Sequence, residues 1–187
     1  MAEELGASLE VVNLGTVGEV PALPGVIHQI IAPSTANMAK SPAMSSRQVE
    51  SALYSGDDAA RRAVNAGCRL FIGGDMGIGN TTSAAALACA LLGQQPTTLV
   101  GPGTGLNSEG VARKARVVEK ALHRHGPDRD PLTVLASLGG FEIAALTGAI
   151  MGCAARRIPV LVDGFIVSVA ALVVTRFSGH LDKRALA

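Results

Sequence analysis

Residues 73–83, GGDMGIGNTTS, form the part of the sequence best suited to binding an anion. They join the apolar run 70–72 to the alanine-rich stretch 84–92, which predicts a strand, an open loop and a helix start. The first amides of a helix lack internal partners and carry partial positive charge, and glycines let an anionic group approach them. Asn80, Thr81 and Thr82 offer a cap together with hydroxyl and amide donors. The pattern indicates phosphate binding, and a glycine turn used for geometry alone is the alternative.

The spacing of this loop matches neither of two common phosphate motifs. No Gly-Lys-Ser/Thr closes it, as in a P-loop, and it lacks the Gly-x-Gly-x-x-Gly dinucleotide fingerprint. A second glycine-rich loop, GPGTG at 101–105, follows a predicted strand at 97–100 and precedes a long helix started by Asn107 or Ser108. Both loops are therefore expected at the carboxyl ends of parallel strands, where α/β domains bind ligands.

Asp75 and Lys114 are the charged side chains with candidate chemical roles. Asp75 would stabilise positive charge developing at an anomeric carbon, or accept a hydrogen bond from a ribose hydroxyl. The alternative is a carboxylate that only accepts amides of its own loop. Lys114 lies two turns into the helix after GPGTG, from where it would reach a phosphate or carboxylate, although its position alone favours a solvated lysine. The histidines and cysteines show no metal-ligand spacing, so no metal is expected.

Strands alternating with helices predict one α/β domain over residues 1–187, Rossmann-like, with a mainly parallel sheet flanked by helices. Ser45 and Gln48 form a predicted capping box, Asp57 and Asp58 are expected to cap a further helix, and Asp130-Pro131 opens another. Within the predicted helix 141–155, Gly148 and Gly152 would let a neighbouring backbone come close. The predicted strands cover 9–17, 69–72, 97–100 and 158–162.

The composition narrows the class of protein. Hydrophobic residues make up 48% and aromatic residues 3%, so small aliphatic side chains must fill the core. A net charge of +1 without a long basic run argues against nucleic acid as the partner. Pro159, Asp163 and Gly164 interrupt the one apolar run long enough to resemble a membrane span. Three separated cysteines and an N-terminus without a signal-peptide layout predict a cytoplasmic protein.

Four strings along the chain carry a further signal. They are TANMAKSPAMS, GGDMGIGNTTSAAAL, GPGTGLNSEGVARK and DPLTVLASLGGFEIAALTGAIMGCAARRIPVLVDGFIVSVAAL. Together they resemble the nicotinate-nucleotide–dimethylbenzimidazole phosphoribosyltransferase family over residues 6–171. The resemblance implies transfer of phosphoribose from nicotinate mononucleotide to 5,6-dimethylbenzimidazole, giving α-ribazole phosphate with inversion at the anomeric carbon, in cobalamin lower-ligand synthesis. It also implies a homodimer and no cofactor.

The same resemblance implies site residues in both loops. Asp75 is the candidate catalytic residue, although the family usually has Glu at this position, and Pro102 stands where Arg is expected. The first departure shortens the carboxylate by one methylene. The residues implied to bind the phosphoribosyl group are Gly77, Gly79, Asn80, Thr81, Gly103, Thr104, Gly105 and Lys114.

Family members are also expected to carry an N-terminal part that helps form the benzimidazole pocket and a C-terminal part with the glutamate that acts as general base. A base is needed because the attacking benzimidazole loses its ring proton as the new bond forms. Neither part is recognised in this sequence, which therefore resembles the central phosphoribosyl-binding core, able to bind benzimidazole only if the site is completed. The alternative is an inactive or incomplete phosphate- or nucleotide-binding remnant.

Overall fold

The fold consists mainly of helices around two short pairs of parallel strands. A computed structural model describes residues 2–18, 21, 23–77, 79–127 and 130–185. Within these ranges a short 3₁₀ turn, Glu3–Leu5, precedes the main elements. In chain order these are β1 (Val11–Asn13), β2 (Val26–His28), α1 (Ser46–Asn65), β3 (Phe71–Ile72), α2 (Asn80–Leu92), α3 (Pro96–Leu99), α4 (Ser108–His125), α5 (Pro131–Leu138), α6 (Phe141–Ala155), β4 (Val160–Leu161) and α7 (Gly164–Ala185).

The strands form two separate parallel pairs in the described part of the chain. β1 pairs with β2, and β3 pairs with β4 with Phe71 beside Val160 and Ile72 beside Leu161. The α/β class and the parallel pairing predicted from the sequence are confirmed, but each strand is shorter than predicted and β2 was not foreseen. The helices therefore provide most of the packed interior.

The strand predicted at 97–100 is wrong. Residues Pro96–Leu99 form the single helical turn α3, closed by a hydrogen bond of 2.9 Å from the Val100 amide to the Pro96 carbonyl. Proline at the first helical position has its φ already set for the helix, whereas two threonines and a valine favour a strand only when a neighbouring strand pairs with them. The second glycine loop therefore follows a helix.

Helix α1 starts at the predicted capping box and runs for 20 residues without a break. Ser45 Oγ accepts from the Gln48 amide, and Gln48 Oε1 accepts from the Ser45 amide. The further helix start expected at Asp57 and Asp58 is wrong, because both lie inside α1. Asp57 instead accepts hydrogen bonds from the guanidinium of Arg156, just beyond α6.

Helices α1 and α6 pack with their backbones in near contact. A Cβ at Gly56 of α1 would lie 1.8 Å from the Ala145 carbonyl oxygen, and one at Gly148 of α6 would lie 2.1 Å from the Leu53 carbonyl oxygen. No real Cβ approaches an oxygen so closely, so only glycine fits at either position. The close backbone approach predicted at Gly148 is thereby confirmed.

Helix α2 lies at the centre of the core. All six residues from Ala84 to Cys89 are buried, so the helix is covered on every side. Phe141 is the one aromatic residue among the buried hydrophobic side chains of the described ranges, as the composition predicted. Other large side chains of the core are Leu135, Ile143, Val118 and Val173.

Among the described residues, none of the helices combines the length and the apolar character that a membrane span requires.

Substituting Gly56 with alanine is expected to destabilise the protein. The new methyl group collides with the Ala145 carbonyl, so α1 and α6 must separate, and overpacking of this kind costs about 1–3 kcal/mol. Urea denaturation followed by circular dichroism measures the loss. Gly74→Ala is the matched control, because a Cβ at Gly74 meets no atom within 4 Å. Equal stability of the two variants would contradict the packing described.

Candidate functional site

The first glycine loop follows β3 and leads into α2, as predicted. Gly73 at its start is buried, and a Cβ there would lie 3.0 Å from Leu146 Cδ2 and 3.5 Å from Val167 Cγ1. A larger residue would push the loop away from α6 and α7. The loop is therefore held against the core at its first residue, while Ile78 lies outside the described residues.

The start of α2 differs from the predicted cap. Gly79 is the N-cap residue, with a left-handed φ of 86°, and no side-chain hydrogen bond caps the helix there. Asn80, one of the three expected capping residues, is the first helical residue, and its amide nitrogen donates to the Asp75 carboxylate instead. Glycine adopts this backbone conformation without strain and brings no side chain to the first amides of α2.

The Asp75 carboxylate is organised by its own loop. Oδ2 accepts from Asn80 Nδ2, and Oδ1 accepts from the Gly77 amide at 3.1 Å. A Cβ at Gly77 would lie 2.9 Å from Asn80 Nδ2 and 3.2 Å from Asp75 Oδ1, so a side chain there would displace both polar groups. Asp75 thus accepts a hydrogen bond from an amide of its own loop, and the carboxylate is exposed, so its role towards a ligand stays a prediction.

Lys114 is buried, which its position in the sequence did not indicate. Only 7% of the Lys114 surface is exposed to solvent. Its Nζ donates hydrogen bonds to Thr81 Oγ1 at 2.7 Å and to the Gly101 carbonyl oxygen at 3.2 Å. One ammonium group therefore joins the start of α2 to the second glycine loop. Removal from water lowers the pKa of Lys114, because burial penalises the charged form. An ammonium has three N–H donors, and these contacts use two.

The second loop meets the first at Gly103. Its φ is +58°, and a Cβ there would lie 3.0 Å from Thr81 Oγ1 and 3.6 Å from Lys114 Nζ. Gly105 also has positive φ, at +117°, and Thr104 between them is exposed. Side chains at Gly103 would therefore cover the polar atoms where the loops meet. Of the residues implied by the resemblance, Gly103, Thr81 and Lys114 come together here, whereas Gly77 and Asn80 surround Asp75.

Glu142 is a second carboxylate close enough to Asp75 for their charges to interact. It lies in the first turn of α6, and a Cβ at Gly140 would come within 2.5 Å of its Oε1. Burial is the main cause that raises the pKa of Glu142, and the negative charge of Asp75 raises it further. The signal in the sequence was a single carboxylate inside the apolar string GGFEIAAL.

Open space is also found away from the two glycine loops. One cavity of about 720 Å³ lies between the residues after β2 and the first half of α1, with Gln29, Arg47 and Tyr54 in its lining. No residue of either glycine loop lines it, so chemistry rather than volume marks the candidate site. The described ranges hold no group of three or more His, Cys, Asp or Glu residues placed to bind a metal. His125 Nε2 lies 2.8 Å from the Met38 carbonyl oxygen.

The lowered pKa of Lys114 predicts how stability depends on pH. In the unfolded chain the pKa of a lysine is about 10.4. Between the lower folded pKa and that value the unfolded chain binds more protons, so the free energy of unfolding rises with pH. The unfolding free energy of the protein is therefore expected to increase relative to that of Lys114→Met as pH rises from neutral towards about 10. Parallel urea titrations of the two proteins measure this difference, and a flat or falling difference would contradict the assigned burial.

Two solved structures have a fold similar to that of this chain. CobT from Thermus thermophilus matches with a TM-score of 0.90 and 43% identity, over 96% of this chain and 54% of that one. A second structure from the same organism, a nicotinate-nucleotide–dimethylbenzimidazole phosphoribosyltransferase, matches with a TM-score of 0.87 and 41% identity, over 96% of this chain and 53% of the other. These neighbours share the arrangement of helices and short parallel strands described above.

Sequence relatives agree with these structures. A nicotinate-nucleotide–dimethylbenzimidazole phosphoribosyltransferase of Pseudomonas putida KT2440 is 56% identical over 179 residues, which cover 95% of this chain and 51% of the relative. A protein of the same name from Xanthomonas axonopodis pv. citri is 54% identical over 178 residues, again 95% of this chain and 51% of the relative. The chain thus spans about half the length of these relatives. The model of the phosphoribosyltransferase family matches residues 1–187, and the chain belongs to that family.

Proposed function

We propose that the two glycine loops bind the phosphoribosyl group of nicotinate mononucleotide for transfer to 5,6-dimethylbenzimidazole, with α-ribazole phosphate and nicotinate as products. The observation that carries the proposal is the Lys114 ammonium, which touches Thr81 of one loop and Gly101 of the other. The relatives named above carry this donor and acceptor in their names. Assignment of the same substrates to this chain rests on 54–56% identity over 95% of its length.

The phosphate is proposed to bind where the loops meet. Lys114 supplies the positive charge, and the backbone at Gly79 is open, because a Cβ there would meet no atom within 4 Å. Thr81 Oγ1 lies 2.7 Å from Lys114 Nζ and orients the ammonium. Hydrogen bonds from a charged donor to phosphate are short and strong, so this contact would hold the donor nucleotide in place.

Asp75 is proposed to act on the ribose. In the transfer, the bond from the anomeric carbon to nicotinate breaks, its electron pair leaves with nicotinate, and a benzimidazole nitrogen forms the new bond. The ring proton then passes to a base, which we assign to no residue of this chain. Positive charge grows on the anomeric carbon, and the exposed Asp75 carboxylate, held by Asn80 and Gly77, would stabilise it. Burial raises the pKa of nearby Glu142 above its usual range.

Binding without transfer is the second candidate. The chain spans about half the length of its relatives, so the acceptor pocket and base have no assigned residues in the described structure. A homodimer in the cytoplasm remains part of the first proposal, and light scattering that gives a monomer would contradict the dimer. The product assay below separates transfer from binding alone.

Lys114→Ala is expected to weaken binding of nicotinate mononucleotide by about 10–100-fold, because a charge-assisted hydrogen bond contributes about 1.5–3 kcal/mol. Isothermal titration calorimetry measures the affinity. Lys120→Ala is the matched control, since Lys120 is exposed on the same helix α4. Circular dichroism verifies that both variants fold. Equal affinities of the two variants would remove Lys114 from the site.

Asp75→Asn is expected to slow product formation by about tenfold or more while the affinity for nicotinate mononucleotide changes little, because the amide keeps the shape but loses the charge. Mass spectrometry of reactions with 5,6-dimethylbenzimidazole detects α-ribazole phosphate. Unchanged product formation would reduce Asp75 to a loop-stabilising residue. Tight nucleotide binding by the unsubstituted chain without any product would favour the second candidate function.

A further inference from the structure

The β3–β4 pair has one buried face and one open face. Phe71 and Val160, which lie side by side in the register, are half-buried, while the next pair, Ile72 and Leu161, are 59% and 49% exposed. Residues paired in register project from the same face of a sheet, and successive residues alternate. Ile72 and Leu161 therefore mark an outward face of the pair.

Apolar exposure continues around this pair. Leu70 before β3 is 50% exposed, and Val162 and Phe165 beyond β4 are 42% and 41% exposed. We call Leu70, Ile72 and Leu161, which this alternation places on one side, the β3–β4 face. Such an exposed group is unusual, because parallel sheets are normally covered on both faces and their strands are apolar for that reason.

Helices cover the opposite face of the pair. Gly73, directly after β3, is buried, and a Cβ there would lie 3.0 Å from Leu146 of α6 and 3.5 Å from Val167 of α7. Helices thus cover the inner side, as in other parallel sheets. In the described residues each of β3 and β4 pairs with one strand only, so the outer edges are also open. Two strands of two residues each are too few to be stable without further packing.

We propose that the β3–β4 face is covered by an apolar helix with an adjoining strand, supplied by a polypeptide segment equivalent to the half of the relatives that this chain does not match. The length supports this occupant, because the match covers only 51% of the Pseudomonas putida protein and leaves about as many residues again. A parallel strand joins a sheet through a crossover helix, which such a segment has the length to supply.

A second copy of this chain fits the face less well. Two copies related by a twofold axis would pair the same strand edge with itself in antiparallel fashion, so a second copy would pack on the face without adding a parallel strand to the pair. The observed pair is parallel, and its outer face continues directly into the candidate site through residues 73–83 after β3. A covering segment would therefore end beside the first glycine loop, at the carboxyl end of the sheet, where further site residues could enter.

The test compares two proteins. The first is the full 187-residue chain, and the second is a chimera of the Pseudomonas putida relative in which this chain replaces the matched 179 residues. Amide hydrogen exchange at Ile72 and Leu161 is expected to slow by about tenfold or more in the chimera, because the face becomes buried. Ile72→Lys is expected to leave the melting temperature of the chain nearly unchanged and to lower that of the chimera by about 5 °C or more.

Val117→Lys is the matched control, because Val117 is 38% exposed on α4, outside the β3–β4 face, and its effect is expected to be equal in both backgrounds. The same two lysine substitutions at the aligned positions of the relative itself repeat the comparison in a natural protein, should the chimera not fold. Equal effects of Ile72→Lys in both backgrounds overturn the proposal, as does a dimer of the chain alone that Ile72→Lys dissociates. None of these measurements uses a nucleotide, so the proposed function can fail while the covered face stands.

Discussion

The close contact between helices α1 and α6 is the constraint on which the arrangement of the site depends. Gly56 and Gly148 remove the side chains that would hold the two backbones apart. The position of α6 then sets Leu146, against which Gly73 packs at the start of the first glycine loop. A separation of α1 from α6 would therefore be transmitted to the loop, although Gly56 is remote in sequence from the proposed site.

Two polar networks within the site serve different purposes. Around Asp75, the contacts from Asn80 and Gly77 are local and set the direction of a carboxylate that remains exposed. Around Lys114, the contacts to Thr81 and Gly101 connect segments distant in sequence and place a positive charge in a buried position. The burial that lowers the pKa of Lys114 also means that a bound anion would recover part of the electrostatic cost of that charge.

The β3–β4 face and the proposed chemistry concern the same edge of the fold. One strand of the pair leads into the first glycine loop and the other leads to Gly164 at the start of α7. An apolar cover on this face would stabilise the strands whose ends position the loop. The proposed site and the exposed face thus lie at one edge of a fold that matches about half of each relative.

Local signals in the sequence predicted the helix ends well, because a cap depends on residues three or four apart. Ser45 and Gln48 form the predicted capping box, and Asn107 Oδ1 accepts from the Gly110 amide at the start of α4. Asp130 Oδ2 accepts from the Thr133 amide in the same way. The α/β class, the parallel pairing and the family also followed from patterns along the chain.

Only the tertiary structure decided which side chains meet. Lys114 has the spacing of a surface lysine, and its burial results from the packing of α4 beside Thr81 and the second loop. Asn80 had the type of a capping residue, yet the nearby Asp75 carboxylate takes its side chain. Residues 97–100 had the composition of a strand, but no described strand pairs with them, and Pro96 starts a turn of helix. By itself the sequence determined local caps and the family, whereas burial and partner choice depend on contacts between distant segments, which only the folded chain brings together.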